Sequence, residues 1–224
     1  ELTELQLSTT SFKNTWDLHG LNKTEPFSFK FTLAKKDSSY FDSYEVRNIK
    51  KWLCKNSYDW LQIEQDDILD VYYYCVIHNP QAVNIGRYTV ALTFDVVCNA
   101  QNAWSDKKVK HYSSTTNSTS LLYIESDYDD YILYPIIKFT CNSNGNIALK
   151  NNTTGKVVTF NSCTNGEVIT LDCRNYKIKS SKNRIMLDHW NKNVFGLIDG
   201  ENSILLEGNY SLEMNYRLPI RVSG

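Results

Sequence analysis

Asn165-Gly-Glu-Val-Ile-Thr-Leu-Asp-Cys173 is a turn signal followed by a short β-rich run. Two further short runs of apolar and polar residues follow, Phe195-Gly-Leu-Ile-Asp-Gly-Glu-Asn-Ser-Ile204 and Tyr210-Ser-Leu-Glu-Met-Asn-Tyr-Arg217. Alternation of apolar and polar residues buries one face of a strand, and short strands separated by Gly and Asn turns are typical of a β-sandwich. We therefore predict a β-sandwich for the C-terminal half of the chain.

Further strand-like runs surround this stretch at sandwich-like intervals. The predicted strands are Ile132–Thr140, Ile147–Lys150, Val157–Phe160, Val168–Leu171, Ile185–Leu187, Val194–Ile198, Ser203–Leu206 and Ser211–Tyr216. Asn144-Gly145 and Asn165-Gly166 suit primed hairpin turns, because Asn and Gly tolerate positive φ. Pro135 has no amide hydrogen to donate, so its strand is predicted to begin at an edge or to carry a bulge there.

The N-terminal half also contains strands. Phe27–Leu33 alternates aromatic and polar residues, and Tyr88–Cys98 shows the longest alternation in the chain, so we predict that it is central to its domain. Trp60–Ile63 and Val71–Ile77 are β-rich, and Asp66-Asp67 between them is a plausible turn of a hairpin.

One helix is predicted over about residues 43–55. Asp42 and Glu45 have the spacing of a capping box, in which each side chain bonds the backbone N–H of the other residue. The apolar positions that follow fall on one helical face. These positions are Val46, Ile49, Trp52 and Leu53.

Length and composition favour two domains. The chain has 224 residues with 42% hydrophobic content, which is enough for two cores. Ser105–Ser120 is rich in Lys, Ser, Thr and Asn without apolar periodicity, so we place the boundary there. The predicted domains are residues 1–105 and 106–224.

The charge balance argues against nucleic acid as a partner. With 24 basic and 25 acidic residues the net charge is −1, so the whole chain has no field that attracts a polyanion. The longest apolar runs are far shorter than the roughly 20 residues of a membrane span, so no membrane partner is expected. Because the chain opens at Glu1 without a methionine or a signal sequence, we expect an excised fragment.

The cysteines are predicted to be reduced. There are six, widely spaced and without a CxxC pair, in a chain too long to need stapling. Several fall in strand-like apolar runs, where a thiol acts as a small hydrophobe. A bridge between Cys163 and Cys173 is the one exception left open.

No sequence motif indicates catalysis or a cofactor. The nucleophile elbow, the HExxH motif, the P-loop and the dinucleotide fingerprint do not occur. Asp188-His189 would be half of a triad only if a nucleophile came near in the fold. Asp127, Asp129 and Asp130 offer oxygen ligands for Ca²⁺ but lack the glycine and distal Glu of an EF-hand loop. We therefore expect no catalytic residue, no cofactor and no metal.

The order of these elements resembles the distal tail proteins of siphophages. In the first half the matching features are the strand Phe27–Leu33, the helix ending Trp52-Leu53, the cluster Tyr72-Tyr73-Tyr74 and the strand end Phe94–Cys98 followed by Trp104-Ser105. In the second half they are Tyr134-Pro135-Ile136-Ile137, Gly166-Glu167, Leu171-Asp172-Cys173 and Gly200-Glu201-Asn202. The resemblance covers nearly the whole chain, and its specificity lies in the order of the motifs.

The resemblance implies a mostly β protein with one helix, in which an N-terminal split β-barrel-like domain precedes a galectin-like β-sandwich. It implies a homohexameric ring that joins the tail tube protein to the tail tip, baseplate and receptor-binding proteins. The location would be the virion tail tip, after assembly in the bacterial cytoplasm. Family members usually have further residues before the position of Glu1, so we expect the first domain to lack its opening strand.

Tyr72, Tyr73 and Tyr74 are the candidate ring interface. Consecutive residues of a strand point to opposite faces, so Tyr73 opposes the other two rings. At least one ring therefore faces another layer or a neighbouring subunit, where tyrosine is favoured. The alternative is a strand buried on both faces.

Carbohydrate binding for host-surface attachment is the alternative function, since galectin-type sandwiches stack sugars on exposed aromatic rings. Trp190, in a polar loop, is the candidate glycan contact. The competing interpretation is that this indole pins its loop to the core. A glycoside hydrolase would need two convergent carboxylates, which the sequence does not place.

Overall fold

The computed structural model describes residues 5–12, 15–23, 26–64 and 70–222. The chain divides into two compact units, residues 1–104 with 221–224 and residues 105–220. Across these described ranges the chain is built from antiparallel strands and a single helix, so the predicted mostly β class with one helix is confirmed.

The N-terminal unit contains a two-stranded sheet and a larger sheet. Its elements are β1 (Leu5–Phe12), β2 (Thr15–Lys23), β3 (Ser28–Ala34), α1 (Ser43–Leu53), β4 (Asp59–Gln62), β5 (Tyr72–Ile85), β6 (Tyr88–Cys98) and β7 (Ala103–Trp104). β1 pairs with β2, and the sequence did not predict either strand. In the larger sheet β6 lies between β5 and β3, as predicted for the long alternating run. The described strands do not close into a barrel.

β5 is longer than predicted. It pairs with β4 in the predicted hairpin, although the Asp66-Asp67 turn lies outside the described residues. Beyond His78 the strand continues through a register shift at Asn79-Pro80, where Asn79 has a φ of 52°. A bulge tolerates proline because its residues do not all donate to the ladder. The strand therefore reaches Ile85 instead of ending at the predicted Ile77.

Helix α1 begins with the predicted capping box. The backbone N–H of Glu45 donates to Asp42 Oδ1 at 2.7 Å, and that of Asp42 donates to Glu45 Oε2 at 2.9 Å. Val46, Ile49 and Leu53 pack on the sheet against the core of Leu92, Phe94 and Val96. The prediction was wrong for Trp52, which is 67% exposed because it lies at the flank of the apolar stripe.

The C-terminal unit is a β-sandwich. Its strands are β8 (Lys108–Ser114), β9 (Asn117–Ile124), β10 (Ile136–Cys141), β11 (Gly145–Asn151), β12 (Lys156–Cys163), β13 (Val168–Asp172), β14 (Lys177–Ser180), β15 (Gly200–Glu207) and β16 (Tyr210–Tyr216). The short strand β17 (Pro219–Ile220) follows them and belongs to neither sheet of the sandwich. One sheet has the order β14-β13-β10-β16-β8 and the other β12-β11-β15-β9. Tyr210 links the two sheets, since its buried hydroxyl donates to Ala148 O at 2.6 Å.

The two Asn-Gly turns do not form the predicted hairpins. Asn144-Gly145 joins β10 to β11 and Asn165-Gly166 joins β12 to β13, and in both cases the two strands belong to different sheets. Each turn therefore crosses the sandwich. Gly166 adopts a φ of 74°, a conformation that favours glycine in a crossing turn as much as in a hairpin.

Strand prediction failed where a strand lies at a sheet edge or is polar. β8 and β9 occupy edges and lie largely within the polar segment Ser105–Ser120, which the sequence marked only as a boundary. β14, also at an edge, was missed. Conversely, Ile185–Leu187 and Val194–Ile198 are not strands. Pro135 directly precedes β10, which begins at Ile136, so the strand loses no ladder bond.

Buried asparagine side chains bond the backbone of Val194–Ile198 in place of a neighbouring strand. Asn202 accepts from Ile198 N at 3.0 Å and donates to Ile198 O at 2.8 Å. Asn151 Nδ2 donates to Gly196 O at 3.0 Å and to Asn202 Oδ1 at 2.9 Å. Both amides are fully buried, and they satisfy backbone groups that a neighbouring strand would otherwise bond.

Replacing Asn202 with alanine should lower the free energy of unfolding of this unit by roughly 2 to 3 kcal/mol, because buried backbone groups of Ile198 lose their partners. Urea unfolding followed by circular dichroism measures the loss. Asn117→Ala, at an exposed position of β9, is the matched control and should change stability little. Equal stability of the two variants would contradict this role of Asn202.

A buried ion pair fixes the loop before β13. Glu167 is fully buried and accepts from Arg184 Nε at 2.7 Å, from Ser180 Oγ at 2.6 Å and from Thr164 N at 3.0 Å. Burial alone raises the pKa of the Glu167 carboxyl, but the hydrogen bonds from Ser180 and Thr164 and the Arg184 guanidinium outweigh it. The pKa of Glu167 therefore lies below its ordinary value.

The lowered pKa of Glu167 predicts acid sensitivity. The pKa of the carboxyl is about 4.3 in the unfolded chain and lower in the folded chain. As the pH falls from the first value towards the second, the unfolded state binds more protons than the folded state. The stabilisation is therefore complete above about pH 5 and is lost as the pH falls through the folded pKa. Wild type should exceed Glu167→Gln in stability at pH 7, and the difference should shrink towards pH 3. Thermal melts at both pH values measure it, and a pH-independent difference would contradict it.

All six cysteines are free, as predicted for the reduced state. The exception left open by the sequence was wrong, because Cys163 and Cys173 are not bridged. Both thiols are buried in the core of the sandwich. There they act as small hydrophobic side chains.

Candidate interaction surface

The three consecutive tyrosines of β5 divide between the two faces of its sheet. Tyr73 points inward, with its ring 5.0 Å from that of Phe29 and 6.0 Å from that of Phe27. Burial raises the pKa of its hydroxyl. Tyr72 and Tyr74 lie on the opposite face, which is the alternation that the sequence predicted.

Tyr74 belongs to a cluster of rings on that outer face. It stands directly opposite Trp60 of β4, and the two ring centroids are 4.9 Å apart. Tyr58 also stacks on Tyr74, with ring centroids 5.6 Å apart. We call Tyr58, Trp60 and Tyr74 the aromatic patch.

The aromatic patch has the chemistry of an interface core. Tyr58 is 45% exposed and Trp60 44% exposed, so these rings present apolar surface to solvent. Each ring rests on another, which limits its rotamers before any partner arrives. Binding therefore costs little side-chain entropy, and Tyr and Trp are the residues that most often dominate binding energy.

A polar row lies on the same face of the sheet, beyond Val76 of β5. His78, Asp95 and Lys30 are neighbours across β5, β6 and β3. Asn79 Nδ2 donates to Asp95 at 2.6 Å and Lys30 Nζ lies 3.5 Å from it, so the Asn79 hydrogen bond first and the Lys30 charge second lower the pKa of Asp95. An apolar centre with a charged border is the usual anatomy of a protein interface.

Trp190 does not provide the predicted glycan contact. Its side chain is 6% exposed and belongs to the core of the sandwich, and its Nε1 donates to Asn193 O at 2.8 Å. The competing interpretation is the one that the structure shows, since the indole pins the loop to the core. A buried ring cannot stack on a sugar.

The outer face of the five-stranded sheet carries a shallow polar groove of about 360 Å³. Lys138, Glu213 and His111 form a row across β10, β16 and β8. A hydrogen bond from Asn215 first, and the Lys138 charge, lower the pKa of Glu213. The groove therefore has mixed charge and differs from the aromatic patch.

Within the described ranges, no three His, Cys, Asp or Glu side chains are gathered as a metal site, so the Asp127, Asp129 and Asp130 segment does not form one. The same part of the chain has no helix with the length and apolar character to cross a membrane.

Two family descriptions match the sequence. The family described as phage tail protein N-terminal domain matches residues 2–100, and the one described as phage tail C-terminal domain matches residues 102–216. The chain belongs to this family of phage tail proteins. A comparison with curated proteins finds no match.

Two solved structures resemble this tail protein over nearly its whole length. The Dit protein of phage SPP1, described as a paradigm of the hub adsorption apparatus in phages that infect Gram-positive bacteria, has a TM-score of 0.67 at 7% identity and covers 97% of this chain and 90% of its own. A chain of the phage P2 baseplate in its activated conformation with Ca has a TM-score of 0.59 at 7% identity, covering 98% of this chain and 88% of its own. The predicted resemblance to distal tail proteins is confirmed in family and fold.

The structure brings together residues of this tail protein that sequence reasoning kept apart. Tyr74 was among the predicted interface residues, whereas Tyr58 and Trp60 were missed. Their spacing of two places both on one face of an extended segment, which was an available signal. Their meeting with Tyr74 depends on the β4–β5 register, in which Tyr72 stands opposite Gln62.

Proposed function

We propose that this tail protein is a distal tail hub, a structural component of the virion that assembles into a homohexameric ring. The ring joins the tail tube protein to the tail tip, baseplate and receptor-binding proteins. Residues 1 to about 105 form the ring, and the sandwich of about 106–224 is peripheral. No catalytic step is part of this function.

The observation that carries the proposal is the extent of the structural likeness. One solved chain, described as a hub adsorption apparatus, matches both units of this tail protein in their order along the chain. The location follows from the same reasoning, because a hub works at the virion tail tip and is assembled in the bacterial cytoplasm.

The aromatic patch supports the proposal independently of that likeness. Apolar rings clustered on an exposed sheet face mark a site of protein interaction, and Tyr58 and Trp60 are 45% and 44% exposed. We assign the aromatic patch, together with the half-buried Tyr72, to the contact between neighbouring copies in the ring. Trp190 has no part in this function, since it is buried.

Light-scattering mass measured over a rising protein concentration, with negative-stain imaging, tests the ring. We expect a sixfold increase over the monomer mass of 25.9 kDa and particles with a central channel. A second sample is coexpressed with the tail tube protein of the same phage, which provides the template. A monomer in both samples would overturn the proposed function.

A further inference from the structure

Two cysteines face each other across the central strands of the N-terminal sheet. Cys75 of β5 is the direct partner of Cys98 of β6. The N–H of Asn99 donates to Tyr74 O at 2.9 Å, so the ladder bonds flank the two cysteines and do not join them. In such a pair the Cα atoms are about 4.5 Å apart and the side chains are at their closest. A disulfide accepts Cα separations of about 4.4 to 6.8 Å.

The two thiols share one apolar environment. Cys75 is 3% exposed and Cys98 1% exposed, and both belong to the core cluster that includes Phe94 and Val96. Directly opposed side chains of a sheet project from the same face, so the thiols meet inside this core. Both are free in the structure. The pair therefore meets the geometric requirements of a bridge that is still open.

We propose that Cys75 and Cys98 are a redox-closable pair, which forms a cross-strand disulfide when the protein leaves a reducing compartment. The aromatic patch lies on the other face of the same sheet, so closure locks β5 to β6 without altering the patch. The change of compartment rests on the proposed function, since a virion protein is made in the cytoplasm and works outside the cell.

The oxidant is a low-molecular-weight disulfide such as oxidised glutathione. The thiolate of one cysteine attacks it, forms a mixed disulfide and releases one glutathione thiol. The second cysteine then attacks the protein sulfur of the mixed disulfide and releases the second glutathione. The protein loses two protons and two electrons, and two glutathione thiols are produced.

Burial makes this reaction slow in the native protein. It raises the pKa of Cys75 to about 11 and that of Cys98 to about 12, so little thiolate exists at neutral pH. The oxidation rate should rise about tenfold per pH unit between pH 7 and 9, in proportion to the thiolate. The pair would therefore stay reduced through assembly and close over a longer period.

The test uses the full chain in two arms. In the first, native protein is incubated with oxidised glutathione at pH 7, 8 and 9. In the second, the unfolded, reduced chain is refolded in buffers with graded ratios of reduced to oxidised glutathione. Both thiols are then accessible to the oxidant before the core forms. Free thiols are then blocked, and tryptic peptides are identified by mass spectrometry without reduction.

We expect a peptide that joins Cys75 to Cys98 in both arms and an increase in melting temperature of the N-terminal unit of roughly 5 to 10 °C. The bridge should persist at a ratio of reduced to oxidised glutathione that reduces the mixed disulfide of glutathione with Cys54, the half-buried thiol after α1. Cys98→Ala should lose the linked peptide and the increase in melting temperature. If refolded wild type carries glutathione on Cys54 while Cys75 and Cys98 remain unlinked, the proposal is overturned.

Discussion

Replacing Arg184 with methionine should lower the free energy of unfolding of the C-terminal unit by about 3 to 5 kcal/mol. The substitution keeps much of the side-chain volume but leaves the fully buried Glu167 carboxylate without its cation. The hydrogen bonds from Ser180 and Thr164 remain, and they cannot neutralise the charge. Urea unfolding followed by circular dichroism measures the loss.

The exposed neighbour Lys182 is the matched control for Arg184. Lys182→Met removes a positive charge from the same loop and should change stability by less than about 0.5 kcal/mol. The double variant Glu167→Gln with Arg184→Met should recover much of the loss, because no buried charge then lacks a partner. A double variant as unstable as Arg184→Met alone would show that packing, and not the ion pair, is what Arg184 contributes.

Replacing Trp60 with glutamate should abolish ring assembly while the fold survives. Burying a carboxylate in the centre of an apolar contact costs several kcal/mol, and aromatic residues at such centres are worth about 2 to 4 kcal/mol each. At a protein concentration where wild type forms rings, the variant should remain monomeric. Light-scattering mass measures assembly, and the melting temperature reports the fold.

Tyr123 provides the control for Trp60. Its ring is 72% exposed on β9 of the C-terminal unit, so Tyr123→Glu exchanges an exposed ring for the same charge in the unit that does not carry the aromatic patch. This variant should assemble as wild type does, whereas Tyr58→Glu should behave as Trp60→Glu does. If Trp60→Glu still assembles into hexameric rings, the aromatic patch is not the contact between subunits. Another surface of the protein must then form that contact.

The sequence predicted the bounds of strands and helices most accurately where a single local pattern determines them. Tyr88–Cys98 was predicted with its exact ends, because a strand with neighbours on both sides shows the full alternation. The start of helix α1 was predicted correctly, because the capping box at Asp42 fixes it. The C-terminal end was predicted within two residues. In these places local pattern and tertiary environment agree.

The errors arose where tertiary contacts replaced the local pattern. Val194–Ile198 is apolar because it is buried, yet the side chains of Asn151 and Asn202 bond the backbone of its Gly196 and Ile198, and no alternation reveals them. β8 has only one neighbour, so few of its residues are required to be apolar. The periodicity of apolar residues indicates which side chains are buried. It does not show which groups form the hydrogen bonds of the buried backbone.

The candidate surface was partly predictable for the same reason. The opposition of Tyr73 to its neighbours follows from strand geometry alone. The aromatic patch required the register that sets Trp60 opposite Tyr74, and register depends on contacts distant in sequence. The prediction for Trp190 was wrong because a polar loop can still turn one large ring into the core.

The pairing of β8 with β16 has a consequence for the timing of folding. β8 opens the C-terminal unit, and its neighbour in the sheet is the strand Tyr210–Tyr216 near the end of the chain. Closing so long a loop is entropically costly, and folds with many such contacts are slow. During synthesis the ribosome must therefore release almost the whole chain before the sandwich can close, whereas β5 and β6 are available to each other much earlier.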